Sequence, residues 1–424
     1  MRFLSVIGCV LFLLFLLVID ATATDRPWNP DGTISVKEEQ KDNPNLGDKT
    51  TFFTRWNLIG SLSIKEEYND NLYFGDDEEG DKVDDFLTTI SPGLELSRTT
   101  DRVQLRLIGT LDRRIYMSES DLDATDQSYL ASVRYVVTPK FSLAGQAGFT
   151  KDSSPDRDLE TSGLVQGTSK REQWHLGLST EHQITESMSA TLSYAYSKDR
   201  DKSEDDNDSE SNGVTLLLAS NLEYFIQESK GRLTLGYNRN RYSDSKDDSY
   251  KMMLGFSKTL SETWRFVADA GVRYTRTRED AALYASDENS NDWGFVGQTE
   301  LSWQGEKTDV TFSLSRDLLP ASGRDASTDR TSLGISMTRQ FTAECSGFLS
   351  GGYYRNRSVE EDTADDEVDE DTLYGSAGLR YAFTPDLGIE ASYNYSMIEY
   401  NTRDTDADRN LFMVRVYAQH AFLD

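Results

Sequence analysis

Cysteine and histidine are scarce in this sequence, which limits the sites it can build. The chain of 424 residues contains two cysteines and three histidines. Cys9 lies in an N-terminal segment that we expect to be removed, so Cys345 would remain alone, without an internal disulfide or a thiolate metal site. His175 and His182 are seven positions apart on one predicted strand and should face opposite sides. Motifs of zinc proteases, phosphate loops and serine hydrolases are also missing, so we predict no catalytic residues, no enzymatic activity and no cofactor.

Basic residues and long apolar runs are also few. The chain has 44 Lys and Arg against 73 Asp and Glu, a formal net charge of −29, which disfavours nucleic acid as a partner because phosphates require a basic surface. The mean hydropathy of −0.60 is too low for a protein that crosses a membrane with several helices of about 20 apolar residues. Aromatic residues, in contrast, are plentiful: 19 Phe, 21 Tyr and 6 Trp are too many for an acidic disordered chain.

The N-terminus has the pattern of an export signal. A positive start at Arg2 precedes an apolar run over Phe3–Ile19, and Ala21 and Ala23 supply small residues at a cleavage site. We predict a signal peptide over residues 1–23, followed by a polar N-terminal periplasmic segment over residues 24–54. The alternative for the apolar run is an uncleaved membrane anchor, for which it is short.

Apolar and polar residues alternate from residue 56 to the end of the chain. Leu105, Leu107 and Gly109, for example, alternate with Arg106 and Ile108. A period of two residues places alternate side chains on opposite faces of a β-strand. We count about eighteen such segments, many of them about 10–14 residues long, whereas a tilted strand needs about 9–11 residues to cross a bilayer.

The connections between these segments alternate in length. Thr138–Lys140 and Thr384–Asp386 are short, whereas Ser197–Asn212 and Arg357–Asp371 are long and acidic. This alternation is typical of outer-membrane barrels, which have tight periplasmic turns and longer outer loops. We therefore predict an all-β fold, a transmembrane antiparallel up-and-down β-barrel of about 16–18 strands over residues 55–424.

Aromatic residues gather near the ends of the predicted strands. Trp264 and Tyr274 bracket one apolar segment, and Trp293 and Trp303 bracket the next. Such girdles suit Trp and Tyr, whose rings are apolar with one polar atom that prefers the headgroup region. The alternative is a soluble β-sandwich or propeller with aromatic core positions, but such a fold does not require long hairpins with alternating loop lengths.

Charged residues on the opposite face of the strands are candidates for the lumen lining. They are Lys65, Glu67, Arg106, Arg134, Asp269, Arg273, Glu300, Arg380, Glu390 and Arg415. Polar inward residues are expected of any water-filled barrel, and these residues could either solvate the lumen or hydrogen-bond to sugar hydroxyls. In the last long loop Asp404, Asp406 and Asp408 have the opening spacing of a calcium loop without its later ligands, so they are weak candidates for surface Ca²⁺ beside solvated loop residues.

The first hairpin resembles a known family. It reads Tyr68-Asn69-Asp70-Asn71-Leu72 and then carries Pro92 in Ile90–Leu96. These residues, notably Tyr68, Asp70, Asn71 and Pro92, are similar to the motif of an outer-membrane β-barrel porin family associated with bacterial exopolysaccharide biosynthesis and export. The motif covers about thirty residues, and the rest of the chain matches by architecture. The resemblance implies an outer-membrane barrel through which polymer or small solutes cross, and it implies no catalytic residues.

Together these features predict an integral protein of the outer membrane of a Gram-negative bacterium. We expect a passive conduit linked to exopolysaccharide export; the alternatives are a general or solute-specific diffusion porin and a non-conducting surface scaffold or adhesion barrel. The expected partners are outer-membrane lipid, lipopolysaccharide, polysaccharide and its export machinery, with no nucleic acid. The sequence leaves the oligomeric state open.

Overall fold

The computed structural model describes residues 56–75, 82–154, 170–201, 208–242, 245–279, 289–320, 327–358, 369–401 and 405–423. The predicted signal peptide and the polar segment up to residue 54 lie outside these ranges. Within them, no helix has the length and hydropathy of a membrane span. One short 3₁₀ turn, Ser120–Leu122, lies among the strands.

The described residues form eighteen antiparallel strands in one sheet. The strands are β1 Trp56–Asn69, β2 Asp85–Thr99, β3 Val103–Tyr116, β4 Ala124–Thr138, β5 Phe141–Asp152, β6 Arg171–Gln183, β7 Met188–Asp201, β8 Ser209–Asn221, β9 Ser229–Arg241, β10 Ser245–Thr259, β11 Trp264–Glu279, β12 Asn289–Gln304, β13 Thr308–Pro320, β14 Ser327–Gln340, β15 Cys345–Ser358, β16 Asp369–Thr384, β17 Leu387–Tyr400 and β18 Thr405–Leu423. Each strand pairs with its neighbours in sequence, and β1 also pairs with β18. The sheet is therefore a closed barrel, which confirms the predicted fold class.

The apolar face of each strand points outward. Leu94, Leu107, Leu254 and Leu379 are all exposed on this side. In a membrane barrel this side contacts lipid and not water, so apolar residues are expected on it. A sheet with an apolar outer face in lipid must also be closed, because every backbone N–H and C=O in the hydrocarbon region needs a hydrogen-bond partner within the sheet. A closed antiparallel barrel satisfies both requirements at once.

Aromatic rings mark the two ends of the outward face. At the short-turn end the rings of Trp264 and Trp303 lie 6.4 Å apart between centroids. At the long-loop end the rings of Tyr250, Tyr274 and Trp293 follow one another on β10, β11 and β12, with centroid separations of 6.5 and 5.0 Å. These rows are where the girdles of a membrane barrel belong.

Pro92 lies within β2, as the sequence indicates. Opposite β1 it pairs with Leu62 without a break in register. On its other side the β2–β3 ladder is interrupted, because the paired positions run up to Ile90 and resume at Gly93. A proline has no N–H to give to a ladder, so the interruption falls on the side where its N–H would be needed.

Candidate functional site

The lumen wall carries all ten charged residues that the sequence suggests for it. In the observed strands each of them alternates with outward-facing residues, and they are Lys65, Glu67, Arg106, Arg134, Asp269, Arg273, Glu300, Arg380, Glu390 and Arg415. The structure does not bring them together at one point; it distributes them round the wall, and Glu300 is exposed on this face. Their contact with a cargo stays a prediction.

Three ion pairs show how charges of opposite sign meet along the described wall. The guanidinium of Arg106 lies 2.9 Å from the carboxylate of Glu95, and Lys65 lies 2.6 Å from Glu67 on the same strand. Arg134 reaches Glu181 at 3.3 Å. The first pair joins the neighbouring strands β2 and β3, the second lies within β1, and the third reaches from β4 across β5 to β6.

A second group of contacts surrounds Asp269. Arg232 donates to both of its carboxylate oxygens, at 3.2 and 2.7 Å, and the side-chain amide of Gln298 donates a third hydrogen bond at 2.9 Å. The Asp269 side chain is 5% exposed. A carboxylate so enclosed needs these donors, because burying an unpaired charge costs several kcal/mol (~3–5).

Five side chains on β15 to β18 form what we call the arginine–aromatic cluster: Phe348, Arg380, Glu390, Arg415 and Tyr417. Arg380 and Arg415 each donate to the same oxygen of Glu390, Oε2, at 2.8 Å. The guanidinium of Arg380 lies 4.7 Å from the ring centroid of Phe348, and that of Arg415 lies 6.0 Å from that of Tyr417. The carboxylate is therefore held between two cations, each of which lies over an aromatic ring.

Two glycines make room for the rings of this cluster. A Cβ atom on Gly378 would lie 2.4 Å from Phe348, and a Cβ atom on Gly388 would lie 2.2 Å from the hydroxyl of Tyr417. Any other residue at these positions would push the rings away from the wall. The sequence analysis missed Phe348 and Tyr417, although their phase in the alternation, opposite to that of the outward residues, was the available signal.

Part of the β13–β14 hairpin lies inside the barrel. The β12–β13 ladder covers only Gly297–Gln304 and its partners Asp309–Arg316, so the two strands separate above that point. We call the described residues beyond it, Asp317–Pro320 and Ser327–Arg330, the inner hairpin. Residues 321–326, which join the two arms, lie outside the described ranges.

The inner hairpin docks on the inward face of β9 to β11. Ser327 donates a hydrogen bond of 2.5 Å to Asp247 and lies 2.9 Å from the hydroxyl of Tyr242. Lys251 contacts Asp317 at 2.8 Å. Burial raises the pKa of Tyr242 well above its usual range, so the phenol stays a neutral hydrogen-bonding group. These contacts narrow the lumen from one side, and nothing local in the sequence indicates them.

The residues of the family motif join the first strand to the last. Two hydrogen bonds run from Asn410, through its backbone N–H and its side-chain amide, to the carboxylate of Asp70, at 2.6 and 2.7 Å. The fully buried Asn71 donates to the backbone oxygens of Gly75 and Asp408, at 3.0 and 2.8 Å, and accepts from the Gly75 N–H at 2.8 Å. The motif therefore fixes the seam where β1 meets β18.

The segment after the motif folds over the lumen. Phe74, with a positive φ of 51°, packs on Ile398 and Ala407, and the guanidinium of Arg409 lies 4.5 Å from its ring centroid. A bulky residue in the left-handed region is strained, so the burial of the ring must hold it there. Leu72 packs separately, against β2 and β3. The β1–β2 loop is thus a second inward element.

Two of the three aspartates suggested as calcium ligands, Asp406 and Asp408, lie within the described ranges. Asp404 lies outside the described ranges. Asp408 forms an ion pair with Lys82, which neutralises the carboxylate. In the parts of the chain that the structure describes, no group of three or more His, Cys, Asp or Glu residues could hold a metal ion. Binding of Ca²⁺ by Asp404, Asp406 and Asp408 stays a prediction.

Several solved barrels resemble this chain at low sequence identity. The unliganded ferric citrate transporter FecA matches with 10% identity and a TM-score of 0.49 over 80% of this chain, which spans 60% of the transporter's length. Pseudomonas aeruginosa OccK2 (OpdF) matches with 10% identity and a TM-score of 0.45, covering 86% of this chain and 98% of its own. Acinetobacter baumannii OccAB4 matches with 11% identity and a TM-score of 0.45, covering 86% and 98%.

Among curated proteins, none matches the sequence. The family described as "Putative beta-barrel porin 2", in contrast, matches residues 53–420. That stretch holds every strand of the barrel from β1 into β18, including the motif at the seam, the inner hairpin and the arginine–aromatic cluster. The chain therefore belongs to this family of β-barrel porins.

Proposed function

We propose that this protein is a passive, water-filled conduit of the outer membrane and that its cargo is an exopolysaccharide. It does no chemistry on that cargo. The polar wall replaces the water contacts that a hydroxyl-rich polymer loses on entry, and the inner hairpin and the β1–β2 loop restrict the opening.

The observation that carries the proposal is that four arginines of the wall are partly exposed to solvent. The side chains of Arg106, Arg232, Arg380 and Arg415 are between 21% and 24% exposed although each forms an ion pair. A barrel of this size leaves an aqueous channel unless side chains or inserted segments fill it. Partly exposed guanidiniums on β3, β9, β16 and β18 are what an unfilled lumen would present.

Conductance of the purified protein in planar bilayers tests the pore. We expect discrete, ohmic current steps without added energy. Protein that inserts, as judged by protease protection and heat-modified migration in gels, but gives no steps would favour a scaffold or adhesion barrel and overturn the conduit.

Secretion of polymer tests the cargo. A strain that lacks the gene should retain its exopolysaccharide in the periplasm, and the full-length gene should restore export. Normal secretion in the deletion strain would reject the export role. Liposome swelling with sugars of increasing size would then measure the range of a general or solute-specific porin.

A further inference from the structure

The carboxylate of Glu66 lies on the outward, lipid-facing side of β1. Glu66 has the same phase in the alternation as Leu62 and Tyr68, and its register partner on β18, Val414, is 47% exposed on the outward face. The ring of Tyr68 lies at the long-loop end of this face, 4.9 Å from the ring of Phe86. Two residues of a tilted strand span about 5 Å of depth. Glu66 therefore lies on the hydrocarbon side of these aromatic rings.

Other strands carry an apolar residue at this depth. The residues two positions inside the outer aromatic rings are exposed on the outward face, and they are Val272 below Tyr274, Phe295 below Trp293 and Val414 below Phe412. Contact with lipid explains these residues, because a charged group on the lipid face is unfavourable. An ionisable residue at such a position indicates a functional role and a polar partner.

The sheet satisfies only part of the Glu66 carboxylate. The hydroxyl of Thr88, on the neighbouring β2, lies 2.9 and 3.0 Å from its two oxygens. A hydroxyl has a single proton to donate, whereas a carboxylate offers about four acceptor sites. In the described part of the chain Thr88 is the one hydrogen-bond donor to this carboxylate. Since Glu66 is partly exposed on the outward face, a ligand in the membrane can reach the other acceptor sites.

Glu66 also borders an apolar groove on the outer face of β14 to β18, β1 and β2, which we call the lipid-face groove. Its volume is about 860 Å³, and its lining includes Ala377, Leu379, Ala391 and Val414. Leu379, Ala391, Val414 and Glu66 are successive register partners on β16, β17, β18 and β1. The apolar lining and the carboxylate therefore form one continuous row, and the volume is within the range of ligand pockets, about 300–1,000 Å³.

The charges at the Glu66 end of the groove favour a cationic headgroup. The hydroxyl of Tyr68 donates a hydrogen bond of 3.4 Å to Asp84, so a second, exposed carboxylate lies on the water side of this ring. Glu66 and Asp84 together repel an anionic group and attract a cation. A primary ammonium group has several N–H donors and forms charge-assisted hydrogen bonds with carboxylates.

We propose that the lipid-face groove binds an outer-leaflet lipid whose headgroup carries a primary ammonium group. The acyl chains lie along Ala377 and Ala391, and the ammonium group donates to Glu66 beside Thr88. The site is outside the lumen, so it goes beyond the conduit function and does not depend on it. Because Val414 and Glu66 lie on the two sides of the junction between β18 and β1, the bound lipid spans this junction from the membrane.

Binding of two lipids that differ in their N–H groups tests the site. The purified full-length protein in detergent is mixed with dimyristoyl phosphatidylethanolamine or with dimyristoyl phosphatidylcholine, which share chains, phosphate and net charge. Native mass spectrometry then counts the bound lipid. We expect phosphatidylethanolamine to bind about tenfold more tightly, the difference expected of one charge-assisted hydrogen-bonded contact. Equal retention of the two lipids, or retention of neither, would overturn the inference.

Matched variants assign the preference to Glu66 and the chains to the groove. Glu66→Gln keeps the shape of the side chain without its charge and should bring the two lipids to equal affinity. Glu262→Gln is the control, because Glu262 is exposed in the turn before β11, and it should keep the preference. Ala391→Phe fills the groove and should weaken both lipids without changing their ratio.

A preference that survives in Glu66→Gln, or unchanged binding in Ala391→Phe, would contradict the site. Heat-modified migration in gels shows that each variant has folded. Current steps of unchanged size in Glu66→Gln are expected, since the site is outside the lumen, so a failure of this inference is distinguishable from a failure of the conduit.

Discussion

The guanidinium of Arg273 lies 3.4 Å from the carboxylate of Asp329, although the two residues belong to opposite faces of the sheet. Arg273 is on the inward face of β11, whereas Asp329 alternates in phase with the outward residues Leu333 and Ile335 of β14. They can meet only because the inner hairpin has left the wall and turned its outward face toward the inside of β11. Arg273 is 2% exposed and also contacts Asp292, at 2.7 Å.

Removing this contact should release the inner hairpin. Asp329→Asn takes one carboxylate from Arg273 and from Arg316, which donates to it at 2.8 Å. We expect a larger single-channel conductance with more current noise, and a loss of about 1–3 kcal/mol in the free energy of unfolding. Asp309→Asn is the control, since Asp309 is exposed near the start of β13, the other strand of the hairpin. An unchanged conductance in Asp329→Asn would show that the inner hairpin does not limit the flow.

Loss of the amide of Asn71 should weaken the seam. Asn71→Ala leaves the N–H and C=O of Gly75 and the C=O of Asp408 without their side-chain partner. A buried polar group without a partner costs about 1–3 kcal/mol, so we expect a clear fall in the thermal unfolding midpoint in detergent, followed by circular dichroism. Asn221→Ala, at the exposed end of β8, should change it little. Equal midpoints would assign the motif a role other than stabilising the seam.

Truncation of Phe74 should free the β1–β2 loop. The ring is 5% exposed and packs on the fully buried Ile398, and Phe→Ala in such a site costs about 3–5 kcal/mol. Tryptic cleavage after Lys82 should therefore become faster in Phe74→Ala. Phe225→Ala serves for comparison, because its ring is 80% exposed and should contribute little. Cleavage at the original rate would mean that the loop is anchored elsewhere.

Gly388 should not tolerate a side chain, whereas Gly375 should. A Cβ atom on Gly388 would lie 2.2 Å from the Tyr417 hydroxyl, but one on Gly375 would meet nothing within 4 Å. Gly388→Ala should cost about 1–3 kcal/mol, as overpacking does, and push the phenol into the lumen, with lower conductance. Gly375→Ala should leave unfolding and conductance unchanged. The same behaviour of both variants would contradict the packing described for Tyr417.

The strand pattern was predictable where lipid imposes it and less so beyond. At the short turns the sequence predicts starts near residues 264, 345 and 387, and β11, β15 and β17 begin there. On the long-loop side the alternation predicts starts near residues 249 and 410, but β10 begins at Ser245 and β18 at Thr405. Above the aromatic rows the outward residues face water, so both faces of a strand are polar. The sequence then shows no alternation of apolar and polar residues from which the start of the strand could be predicted.

The sequence predicts which residues face the lumen but not which of these residues contact one another. The phase of the alternation separates inward from outward residues because neighbouring side chains must point in opposite directions. It does not reveal that Arg380 and Arg415 share Glu390, which depends on the register of three strands. Still less does it reveal the contact between Ser327 and Asp247, 80 positions apart, because that contact arises from a hairpin that leaves the sheet.

The bond from Asn71 to Asp408 spans 337 positions of the chain, and this separation has a consequence for biogenesis. The amide that completes the first loop finds its acceptor only after the final strand has been delivered. A chain cut short before that strand would leave two open edges and an unfilled cavity at the same place. Closure of the cylinder and formation of the Asn71–Asp408 hydrogen bond therefore belong to the same step of assembly.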